Sequence, residues 1–143
     1  MDPRILHARA EAASDKVNAL SEEQESPEFS RALQHLAEVA EWGSLEAAEH
    51  LAEIQALDGH HHNAASAYKW YFIALSQQGY TTAFNDLNAS PPHYCGPVGD
   101  FRNESLVSDL VAELGFERVI ALDKEASEWL AARNLTIRSS GPL

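Results

Sequence analysis

The sequence predicts an all-α fold, a short α-solenoid of antiparallel helical hairpins with capping helices at its N- and C-termini. Three observations carry this reading. Apolar residues return every three or four positions along most of the chain, which is the spacing of one helix face. Serine, proline and glycine punctuate these runs where helix starts and stops belong. The chain also overlays on itself at an offset of 36 residues, placing Gly43 on Gly79 and Ala47 on Ala83. With 143 residues, 45% of them hydrophobic, it is long enough to bury a real core, and 1–143 reads as a single helical domain.

Residues 1–20 read as the first helix, with Ile5, Leu6, Ala13, Val17 and Leu20 as its inward stripe. A polar run over 21–27 ends it. Ser26 followed by Pro27 and Glu28 has the pattern of an N-cap with proline in the first turn, and Phe29, Leu33, Leu36 and Ala40 then recur until Gly43. Ser44 caps the next helix, which Leu45, Ala48, Leu51 and Ala52 carry to Ala56. Asp58-Gly59 breaks the chain before His60, His61 and His62. A helix over about 63–78 presents Ala64, Ala67, Tyr68, Tyr71, Phe72 and Leu75 on one side and Trp70 and Ile73 on another. Such a helix must be covered on two faces. A short helix over about 81–87 completes the hairpin.

The 36-residue period, which also sets Leu36 on Phe72 and Val39 on Leu75, describes hairpins in which each unit buries the open face of its neighbour. Ala67, Trp70, Tyr71, Ala74, Gly79 and Ala83 fall on the pattern A-x-x-W-Y-x-x-A-x-x-x-x-G-x-x-x-A, and Gly59 stands in the loop before it. This segment resembles the Sel-like repeat, a relative of the tetratricopeptide repeat. An earlier copy over 32–55 keeps Gly43 and Ala47 without the Trp-Tyr pair, so the resemblance spans about residues 28–88. It implies that Trp70 and Tyr71 are packing residues, that the alanines permit close helix contact, and that the unit is a protein-binding scaffold with no catalytic residue.

A proline- and glycine-rich connection over 91–103 interrupts the helical pattern, and loops of this length in compact domains are commonly functional. Its prolines and glycines favour a defined shape, and Tyr94 and Arg102 are of the types enriched at binding hot spots, so with Asp100 they are candidate partner-binding residues. Residues 104–133 read as C-terminal helices. Asn103 caps the first, with Leu106, Val107, Leu110, Val111 and Leu114 inward and Gly115 as its stop. The run Val119-Ile120-Ala121-Leu122 fits either a helix end or a short strand, and Asp123 then caps a last helix bearing Ala126, Trp129 and Leu130 on its inner face.

Charge narrows the partners. The net charge is -12, which disfavours nucleic acid and anionic lipid surfaces. Between Glu22 and Asp58 ten acidic residues face one basic residue, Arg31. A field of one sign costs self-repulsion, and a basic protein partner is a physical reason to keep it, since complementary charge speeds association. Glu38, Glu41, Glu46, Glu49 and Glu53 are therefore the candidate partner-binding carboxylates, the last three spaced to share one helix face. The lone Cys95 admits no internal disulfide, and the N-terminal residues carry no apolar signal core, so a cytoplasmic protein is expected.

Chemistry is sparse. His60, His61 and His62 are consecutive and point in different directions, so no metal or other cofactor is expected there. His35 and His50 lack a converging third ligand by spacing, and Cys95, with His93 or His50 as base, sits in a negative field that opposes a thiolate. The sequence is read as a non-enzyme that binds another protein, and the size and charge fit an immunity protein that neutralises a basic toxin, by analogy. An adaptor or regulatory repeat protein is the alternative. A small enzyme using the loop over 93–104, with Asp100 and Glu104 as paired carboxylates, is a further one.

Overall fold

The computed structural model describes residues 2–57, 59–77 and 101–133, with side chains in the last segment from residue 106 onward. Six α-helices make up these residues: α1 (Pro3–Ala19), α2 (Pro27–Glu41), α3 (Leu45–Ala56), α4 (Ala64–Ser76), α5 (Phe101–Leu114) and α6 (Phe116–Ala132). Among the described residues there is no strand, and no helix is long and apolar enough to cross a membrane.

Local chemistry sets the helix starts. The Asp2, Ser26, Ser44 and Asn63 side chains each accept a hydrogen bond from a backbone N–H of the first turn, and Pro27 opens α2 at a position whose N–H would otherwise be orphaned. Gly43 turns the chain between α2 and α3 at φ 107° and Gly115 separates α5 from α6 at φ 83°. Both values lie in the left-handed region, where open space around the Cα does not relieve the strain on other residues.

The core is built around α4. From Tyr68 to Ser76 every residue except Lys69 is buried, because α3 covers one side of the helix and α5 and α6 the other. This is the two-sided covering expected from Trp70 and Ile73. The remaining helices are amphipathic. In α2 the buried set is Phe29, Ala32, Leu33, Leu36, Val39 and Ala40, facing α1 and α3. The α3 face is mostly alanine, and Ala47, Ala48 and Ala52 let α3 lie close to α4.

Three expectations change. On α1 the inward stripe is Leu6, Ala10, Ala13 and Val17, a spacing of four, three and four, and Ile5 falls outside it at 50% exposure. Val119 to Leu122 is helical, and Asp123 lies in the middle of α6 rather than capping a new helix. The positive φ of Gly115 already supplies the break, so the helix needs no second start. Finally, α5 begins at Phe101, which puts Arg102 and Asn103 within the helix. Asparagine costs a helix interior only about 0.6 kcal/mol relative to alanine, little enough for tertiary packing to override. Gly79, Ala83, the short helix over 81–87 and the loop over 91–100, with His93, Tyr94, Cys95 and Asp100, lie outside the described residues.

Candidate protein-binding surface

The acidic residues of the α1–α2 loop and of α2 and α3 divide by what they touch. Glu22, Glu23, Glu25, Glu28 and Glu38 are exposed. Glu28 approaches Arg31 at 3.7 Å and Glu38 approaches His35 at 3.7 Å, contacts too long and too solvated to neutralise either carboxylate firmly. The loop carboxylates Glu22, Glu23 and Glu25 line an open groove of about 430 Å³ together with His60.

Glu41 and Glu46 are engaged within the fold. Glu41 pairs with Arg133 at 3.5 Å and accepts from Trp129 Nε1 at 3.2 Å, while Arg133 also donates to the Glu41 carbonyl at 3.1 Å. The guanidinium lies 3.7 Å above the Trp129 ring, so the end of α6 is fastened to the end of α2 by a stacked ion pair. Glu46 sits 2.8 Å from His7 Nδ1, and this carboxylate raises the His7 pKa above the usual imidazole value. Glu49 and Glu53 are half-buried. The open anionic surface is therefore Glu38 with the loop and first turn of α2, and Glu41, Glu46, Glu49 and Glu53 are only partly available to a partner.

Of the three consecutive histidines, His60 meets His61 edge-on with ring centroids 5.4 Å apart, and His61 and His62 hold different partners. His61 Nε2 donates to the Gln24 carbonyl at 2.9 Å, tying the α3–α4 loop to the α1–α2 loop. His62 contacts the Leu57 carbonyl through Nδ1 at 3.2 Å and the Glu113 carboxylate through Nε2 at 2.9 Å, which fastens α5. Among the described residues no three metal-ligand types gather. His50 Nδ1 shares a 2.9 Å hydrogen bond with Ser14 Oγ, and burial lowers its pKa.

Of the residues named from the repeat pattern, five in the described part of the chain are packed. Ala47, Ala67, Tyr71 and Ala74 have no measurable exposure and Trp70 only 5%, its ring meeting Trp129 edge-on at 5.7 Å. One feature was not legible in the sequence: Asp123, reaching back from α6 to the Tyr68 hydroxyl of α4 at 2.5 Å. Burial pushes its carboxyl up to about 7, and the Tyr68 hydrogen bond draws it only part of the way back. Its second oxygen is buried without a hydrogen-bond partner among the described residues.

Compared with family models, curated proteins and solved structures, the chain finds no match.

Proposed function

We propose that the protein is a protein-binding module of the Sel-like repeat type, and specifically an immunity protein that neutralises a basic toxin by binding it. The observation that supports this reading most is the exposure of Glu22, Glu23, Glu25, Glu28 and Glu38 in a stretch, Glu22 to Asp58, whose only lysine or arginine is Arg31. Such a surface attracts a cationic protein and repels nucleic acid. The repeat component draws on the burial of Ala67, Trp70, Tyr71 and Ala74, the packing roles that the resemblance implies. Tyr94, Asp100 and Arg102 complete the proposed contact set.

The test is affinity capture from the native cell with two baits, the wild-type chain and a Glu38→Lys, Glu25→Lys variant of equal stability. The expected result is a basic protein retained by the first bait and lost from the second, whose expression arrests growth unless the wild-type chain is co-expressed. A partner retained equally by both baits, or one harmless on its own, overturns the reading. An acidic partner or a set of many partners points instead to an adaptor.

A further inference from the structure

The inner side of α6 buries Val119, Leu122, Ala126 and Leu130, and the Asp123 carboxyl reaches from the same helix to the Tyr68 hydroxyl of α4. Its second oxygen, Oδ2, is buried with no hydrogen-bond partner, and among the described residues the ion pairs that hold α6, Lys69 with Glu125 and Arg133 with Glu41, leave it out. A carboxyl in this setting is tolerated when protonated and costly when ionised, because burial strips the anion of water and Tyr68 returns one hydrogen bond.

Neighbouring groups do not offset the charge. On α4, Tyr68 is already the donor, Lys69 is held by Glu125 at 3.4 Å and lies 5.4 Å from the Trp70 ring, and Tyr71, one turn from Tyr68, is buried. On α5 the charged side chains among the described residues, Asp109 and Glu113, are acidic and line a groove with Leu57 and His62. On α6 itself Glu117, Arg118, Lys124, Glu125 and Glu128 are exposed. The other fastenings of α6 are separable. Solvated pairs such as Lys69 with Glu125 hold weakly, and Gly115, at φ 83°, gives the α5–α6 joint a backbone able to turn.

We propose that α6 is a pH-operated flap hinged at Gly115, closed over α4 while Asp123 is protonated and released when Asp123 ionises, so that Tyr68 and Trp70 are uncovered. Burial sets where this happens. The docked helix keeps a proton that the released helix gives up, so release grows as the pH rises from 3.8 to about 7 and is constant above that.

Amide hydrogen exchange of the full chain at about pH 5 and about pH 8, corrected for the intrinsic pH dependence of exchange, tests this segment by segment. Between the two, opening of α6 is expected to rise at least about tenfold more than opening of α3, with tryptophan emission shifting to the red as Trp70 and Trp129 part. Asp123→Asn keeps an oxygen for Tyr68 but does not ionise, and is expected to hold α6 closed at both pH values. Tyr68→Phe removes the hydrogen bond that favours the anion, and is expected to move the upper end of the transition to higher pH. Protection of α6 and α3 falling in parallel in the wild-type protein makes the effect global and overturns the proposal. A release that persists with pH in Asp123→Asn, or a transition unmoved in Tyr68→Phe, overturns it as well.

Discussion

The Tyr68 hydroxyl of α4 donates to Asp123 of α6 across 2.5 Å, and this bond joins the most deeply buried helix to the last one. The carboxyl it reaches is held protonated to about 7 by burial, against a value of 3.8 in the open chain. The folded state thus keeps a proton that the unfolded state gives up. Stability from this group is full below pH 4 and falls as the pH rises towards 7, staying flat above that.

Asp123→Asn removes the titration while leaving a carbonyl oxygen to accept from Tyr68. Thermal melts of wild type and variant are expected to coincide near pH 4 and to separate at pH 8, the variant being more stable there by about 1–3 kcal/mol. Equal differences at both pH values contradict the assignment.

Trp70 and Tyr71 carry the packing of α4, so alanine at either position is expected to cost on the order of 3–5 kcal/mol in urea unfolding. Trp42, half outside the fold, is expected to cost under about 1 kcal/mol. Losses below that value at Trp70 and Tyr71 contradict the packing roles and with them the proposed repeat.

Acids that look alike in sequence are expected to behave differently. Glu41 holds Arg133 and Trp129, so Glu41→Lys places a cation beside a cation and is expected to destabilise by about 1–2 kcal/mol, with the last turn of α6 losing protection from hydrogen exchange. Glu38, in the open, is expected to shift stability by under about 0.5 kcal/mol on the same change.

This difference shows what the sequence could reveal. Helices with a strong cap or a clear stripe were legible: Ser26-Pro27 and Ser44 start α2 and α3, and the two-sided hydrophobicity around Trp70 marks α4 as central. Ile5 and Leu6 are adjacent apolar residues and periodicity alone does not choose between them; packing against α2 and α3 takes Leu6 and leaves Ile5 outside. Asp123 reads as a cap because aspartate favours helix starts, and its contact with Tyr68 spans 55 positions that no local pattern connects. The distinction between Glu38 and Glu41 is of the same kind, since Arg133 lies 92 residues away from the carbonyl it meets.

Tyr94→Ala and Arg102→Ala are each expected to weaken partner binding by about 1–3 kcal/mol while leaving the melting temperature nearly unchanged. Calorimetric titration and melting on the same two proteins check this. Unchanged affinity in both removes these residues from the contact set.

Electrostatic attraction by the exposed carboxylates of the α1–α2 loop and α2 is the centre of the proposed function, and the association rate with the captured partner reads it directly. Stopped-flow mixing from about 0.05 to about 0.5 M salt is expected to slow association at least about tenfold, because screening shortens the range of the field. Glu38→Lys is expected to start slower and to depend less on salt. An association rate that is independent of salt in the wild-type protein contradicts the proposal and leaves those carboxylates as a solvated surface.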